Sequence, residues 1–228
     1  MLFALRLACG ASTGPDGKPS KTTAEVLADG DKAIMESQLR LASLQLQNDD
    51  MDAARATLMK VLEKDPTNID ATSAVATIDI AKKNQTWQVT DKTDEMEGSR
   101  VVIVAVEATD TYIYHTRDRK RPTMYIRCKG GKLEAYINND AQADDAYDGV
   151  TVKVKFGEGK PISLSASEST DHEALFINKP KTLVAGFSGQ TTMLYQFTPF
   201  SSAPATLHFN VSGWDEKAAP LKEACKLK

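Results

Sequence analysis

Two changes of period along the chain predict an α+β protein. A helical hairpin comes first, then an antiparallel β-sandwich-like domain that closes on a C-terminal helix. Between residues 22 and 83 apolar residues recur at helical spacing, and Gly30 is the sole glycine. From residue 100 onward apolar and polar residues alternate in short runs separated by turn formers, the pattern of many short antiparallel strands. The 41% hydrophobic content is enough to bury a core, and the net charge of −3 gives no global attraction to nucleic acid or anionic membranes. No run of about 18 apolar residues occurs, so no transmembrane helix is predicted. The resulting division is 1–21 as a remnant signal or flexible linker, 22–83 as a helical arm, 84–99 as a linker, and 100–228 as the β domain with its helix.

The N-terminal MLFALRLACGAS has the apolar-then-small order of a secretion signal, but it is short, lacks a basic start and carries Arg6 in its apolar part. It reads as the tail of a signal or as a frayed terminus. Cys9 does not fit a lipoprotein cleavage site, because Arg6 stands where an aliphatic residue is needed. ASTGPDGKPSK then has linker composition.

The first helix opens at Thr22-Thr-Ala-Glu25, a capping box in which the Thr oxygen accepts from a free backbone N–H and Glu25 reaches back. Leu27, Ile34, Leu41 and Leu44 recur along it as one face. Asn48-Asp-Asp50 breaks it and caps a second helix, DMDAARATLMKVLEKD, which Pro66 ends; IDATSAVATIDIAKK is a third. With Ala42, Ala54, Leu58, Val61, Pro66 and the passage DPTNIDA, this region resembles a tetratricopeptide repeat. About one and a half repeats are present where a solenoid needs about three, so the resemblance implies a docking or dimerising arm.

In the second region a short strand at WQVT falls inside 84–99, and RVVIVAVEA is a buried strand. TMYIRCK and KLEAYIN alternate about Gly130-Gly131, a two-residue turn where glycine adopts positive φ without penalty. VTVKVKF puts Val150, Val152, Val154 and Phe156 on one face and Lys153 and Lys155 on the other. PISLSAS, EALFINK, TMLYQF and ATLHFNV follow, a succession that suits a sandwich or barrel. GWDEKAAPLKEACKLK is a closing helix that starts or kinks at Pro220.

Cys128 shares a strand face with Met124 and Ile126, and Cys225 stacks with Leu221 on the closing helix. Both thiols point inward, and they form either a disulfide, worth about 4–5 kcal/mol in the chain-entropy model, or two buried free cysteines. Neither has a second thiol or His at ligand spacing, so no metal is expected. YIYHTRDRKRP sets Arg117, Arg119, Lys120 and Arg121 after Tyr112 and Tyr114. Such a group can meet phosphates and stack on bases, contact lipid headgroups or an acidic protein face, or simply keep a loop tip solvated. His115, His172 and His208 are scattered, and no HExxH, phosphate loop, GxSxG or CxxC is present, so no catalytic centre and no cofactor are expected. Asp171-His172-Glu173 is the best local candidate for acid–base or metal chemistry, but neighbouring strand residues face opposite ways.

Trp87 before the first strand, MYIRCKGGKLEAYI, QFTPF followed by ATLHFNVSG, and the closing LKEAC resemble the type VI secretion-associated VasI-type family and its phage and prophage relatives, over residues 87–228. The resemblance implies an exported, β-rich accessory protein with matching cysteines at Cys128 and Cys225 and no catalytic centre. Two departures are Trp214, where the family usually has Leu, and the helical segment before Trp87, which is not part of the shared pattern. The expected role is therefore a non-enzymatic, protein-binding protein of the bacterial envelope or periplasm. The alternatives are a cytoplasmic nucleic-acid binder acting through residues 117–121 and a metal-dependent hydrolase using His172.

Overall fold

The computed structural model describes residues 22–115, 118–144 and 149–227, with the backbone alone at Asp118. The segment 1–21, with Cys9, and Arg117 lie outside the described residues. The chain divides into two compact units between Ala76 and Thr77. No helix among the described residues is long and apolar enough to cross a membrane.

Three helices make up or enter the first unit: α1 (Thr23–Gln47), α2 (Met51–Lys64) and α3 (Ile69–Asn84), the last of which spans the division. The Thr22 hydroxyl accepts from Glu25 N and the Glu25 carboxylate accepts from Thr22 N, at 3.3 and 2.7 Å, which completes the capping box. Asp49 turns the chain at φ 64° and Asp50 caps α2 by accepting from Ala53 N at 2.9 Å. Small residues let α1 and α2 approach: Ala42 faces Ala54, Leu58 and Val61, all buried, and Thr57 donates to Gln45 Oε1 at 2.9 Å. The predicted stripe on α1 lies on another face, and Leu27, Ile34, Leu41 and Leu44 are exposed.

The second unit is built on nine antiparallel strands among the described residues, in the order β1-β2-β5-β6-β9-β8-β7-β10-β11. They are β1 (Gln88–Thr93), β2 (Arg100–Glu107), β5 (Thr123–Lys129), β6 (Lys132–Asn138), β7 (Val150–Phe156), β8 (Ile162–Glu168), β9 (Ala174–Ile177), β10 (Thr192–Phe197) and β11 (Ala205–Asn210). A separate two-stranded ribbon joins β3 (Tyr112–Tyr114) to β4 (Asp118–Lys120). Strands β7, β8 and β9 form a meander whose ends pair with β10 and β6, two overlapping Greek keys. Beyond the end of β1 the chain leaving β2 reaches β11: Ala108 bridges Phe209 and Thr109 N donates to His208 O at 2.8 Å. The sheet thus curls until its two halves face each other, so the layers expected of a sandwich belong to one continuous sheet. Gly130 and Gly131, at φ 54° and 79°, make the tight β5–β6 turn and set its register.

Apart from β1, every strand of the sheet buries one face, from Val102, Val104 and Val106 through Met124 and Ile126 to Tyr195, Leu207 and Phe209. Residues 84–99, expected as a linker with a short strand, supply the edge strand β1, and Trp87 packs against Phe187 and Trp214 with its indole N–H donating to Val211 O at 3.1 Å. A short helix α4 (Pro180–Ala185), absent from the sequence reading, starts on Pro180, whose missing N–H is no loss in a first turn. The chain closes with α5 (Trp214–Lys217) and α6 (Ala219–Ala224), which break at Ala218 beside Pro220. Helix α6 packs on β2 and β5 through the fully buried Leu221. There Cys225 meets Cys128 at disulfide distance, with Cα atoms 5.8 Å apart.

Candidate functional site

Alternation places Met124, Ile126, Ala135 and Ile137 inside, so the residues between them on β5 and β6 face out. Because the Gly130–Gly131 turn pairs Lys129 with Lys132, the register places Tyr125 directly opposite Tyr136, and β9 continues the row with Phe176 opposite Tyr136. The three rings stack in sequence at centroid distances of 4.9 and 4.8 Å, with planes 14° and 25° apart, and all three are half-buried. The Arg127 guanidinium lies 5.5 Å from the Tyr136 ring centre and donates through Nε to Glu134 at 2.9 Å. Lys132 reaches the other Glu134 oxygen at 3.0 Å. Burial raises the Glu134 pKa, but hydrogen bonds from Arg127 and Lys132 outweigh it and hold the carboxyl below its ordinary value. Burial pushes the Tyr136 phenol up, so it stays a neutral donor and acceptor.

The β8–β9 turn walls this row. Asp171 accepts from the Ser169 hydroxyl and, at 3.2 Å, from Glu173 N, and these bonds hold its carboxyl below the usual range. A hollow of about 350 Å³ lies between the turn and the rings, lined by Tyr136, Phe176, Asp171 and Glu173 among others. Across Tyr125 a second hollow of about 170 Å³ reaches Glu107, whose carboxylate accepts from the Asn84 amide at 3.2 Å.

The residues singled out from the sequence are placed differently. Tyr112 is buried, donates to Asn139 O at 2.6 Å and meets Phe197 edge-on, so it does not join an outward aromatic surface. Tyr114 is half-buried with its ring 3.9 Å from His115, Arg119 is exposed and donates to Thr111, and Arg121 donates to the Ala108 carbonyl at 2.8 Å. Lys120, half-buried, ends β4. The basic stretch is therefore partly spent on holding the β3–β4 ribbon. His172, at φ 63°, bonds through Nδ1 to the buried Glu168 carboxylate, which also accepts from Ala143 N. Its partner is four residues away, not one of its immediate neighbours. Among the described residues no three His, Cys, Asp or Glu side chains converge as a metal site would require.

No family model matches the chain, and no curated protein matches it. Among solved structures it is similar to invasion associated protein B from Bartonella henselae, with 11% identity and a TM-score of 0.42 over 61% of this chain and 94% of that chain. Likeness at that level says nothing of what this chain binds. The VasI-type resemblance rests on the motifs quoted above.

Sequence reasoning missed the row of rings, although two of the three were in reach. The two-glycine turn and strict alternation already require Tyr125 and Tyr136 to be opposed on the outer face. Phe176 has no such local signal, because β7 and β8 lie between β6 and β9 in the chain.

Proposed function

We propose that the chain is a non-enzymatic accessory protein of the bacterial envelope that works by binding another protein, in a secretion-system or phage-related setting as the VasI-type motifs suggest. The observation that carries this reading is the outward row Tyr125–Tyr136–Phe176 with Arg127 over its centre. Tyr and Arg dominate the energetic centres of protein interfaces, where large rigid rings bury area at small entropic cost. Placement in an oxidising compartment is supported by the pairing of Cys128 with Cys225. The exposed leucines along α1 are consistent with a second contact made by the helical arm.

The test uses the full chain in its own host. A photo-reactive phenylalanine is placed at Tyr136 and, as a control, at the exposed Lys153 on the other half of the sheet. The envelope fraction is then alkylated before reduction. One discrete adduct from position 136, none from 153, and Cys128 and Cys225 refractory to alkylation are expected. Free thiols in the exported, folded protein would remove the envelope placement, and equal labelling from both positions would remove the binding face.

A further inference from the structure

The rings stand on three neighbouring strands, β5, β6 and β9, and a parallel line of positions runs beside them across β2-β5-β6-β9 through Glu107, Thr123, Asn138 and Ala174. Carboxylates stand at both ends of that second line: Glu107 on β2, and Asp171 and Glu173 just before β9. Arg127 and Lys132 on this face are matched, and Arg121, beside its β2 end, donates to the Ala108 carbonyl. Arg127 and Lys132 share the two oxygens of Glu134, and His172 in the adjoining turn is turned to Glu168. Glu107 and Asp171, by contrast, are held by neutral donors, the Asn84 amide for one and the Ser169 hydroxyl and Glu173 N–H for the other. The groove therefore carries carboxylates on neutral donors at its two ends and aromatic surface between them.

Resting on the reading of this face as partner-binding, we propose that the groove takes an extended segment of a partner protein carrying two basic side chains. Neighbouring strands are about 4.8 Å apart, so the acidic ends on β2 and β9 are about 14 Å apart, and an extended chain covers that in about four residues. The basic residues thus stand at positions i and i+4, their heads on Glu107 and on Asp171 and Glu173. Arg127 displays on Tyr136 the way a guanidinium lies over these rings. The same negative ends repel nucleic acid and anionic lipid, which separates this partner from both.

The probe is a capped Arg-Gly-Gly-Gly-Arg peptide added to the oxidised full chain, with ring resonances of Tyr125 and Tyr136 followed by NMR. Glu-Gly-Gly-Gly-Glu and a neutral chitotetraose serve as competitors for the assignment. The arginine peptide is expected to shift both rings, and to weaken about tenfold between about 50 and about 300 mM salt. It should also lose about tenfold in affinity with Glu107→Gln, Asp171→Asn and Glu173→Gln combined, a variant whose melting temperature is checked first. Equal or tighter binding of the acidic peptide or the sugar overturns the proposal, as does binding that leaves Tyr136 unmoved or that survives the triple variant. A discrete adduct from position 136 alongside a silent arginine peptide would sink the basic partner and leave the binding face standing. Peptide binding without any adduct would leave the groove's preference for basic chains standing and remove the partner in the envelope.

Discussion

Removing the Cys128–Cys225 link gives the most demanding test of how the second unit is held together. The two residues are 97 positions apart, so the crosslink closes most of that unit into one loop. In the chain-entropy model a loop of that length stabilises by about 4–5 kcal/mol, because the unfolded chain loses the freedom to separate its ends. For a cooperative unit of this size each kcal/mol is worth about 2–4 °C, so the double variant should melt roughly 10–15 °C lower. Alanine is the right replacement, since Cys128 is only 1% exposed and serine would bury a hydroxyl without a partner. Both positions must change together, because a single replacement leaves a thiol able to pair elsewhere. The assay is thermal unfolding by circular dichroism, with hydrogen exchange to follow α6. Amides of α6 should lose protection first, since Leu221 and the Arg100–Glu223 ion pair at 3.1 Å are then left to hold it. A fall of less than about 3 °C with α6 still protected would refute the reasoning and show that packing, not closure, fixes the helix.

Two further outcomes follow from single contacts. A Cβ at Gly186 would sit 2.3 Å from two ring carbons of Phe156, so Gly186→Ala should cost about 1–3 kcal/mol by overpacking, and adding Phe156→Leu should return part of it, both read from melting temperatures. Glu134 has a folded pKa below its ordinary value, so its contribution is present above the unfolded pKa and is lost as pH falls through the folded one; the acid limb of wild-type stability against pH should therefore be steeper than that of Glu134→Gln, and identical slopes would contradict the pairing with Arg127 and Lys132.

Local rules made much of this architecture legible. The capping box at Thr22, the Asp50 cap and the two-glycine turn each act within a few residues, so the sequence carries all their information. Strand alternation likewise named the inner face of β5 and β7. Two readings of which residues are displayed do not match the structure, because each depends on a partner distant in the chain. Tyr112 looks like a surface aromatic beside basic residues, yet the ribbon it belongs to folds it onto Phe197 and the Asn139 carbonyl. The α1 stripe looks like a packing face, yet Ala42 offers α2 a closer approach than the leucines can. In both cases a tertiary contact overrode a residue-type preference that is correct on average.

The outer row could be a purely structural device, and the rest of the sheet argues against that. Register is already specified by the inner face, where Met124, Ile126, Ala135, Ile137, Leu175 and Ile177 are all buried, and a one-residue slip would expose every one of them. The other half of the same sheet holds its register with polar outer residues: Lys153 on β7 and Ser163, Ser165 and Ser167 on β8 are exposed. Cross-strand aromatic pairs contribute about 0.2–1 kcal/mol each, so Thr, a good strand former, in place of Tyr125, Tyr136 and Phe176 should cost only about 1–2 kcal/mol. That variant should fold, melt a few degrees lower and lose the adduct formed from a photo-reactive residue at the half-buried neighbouring position Asn138. Collapse of the fold would make the rings part of the core's architecture. Survival of the adduct would make them bystanders on a face that binds by other means.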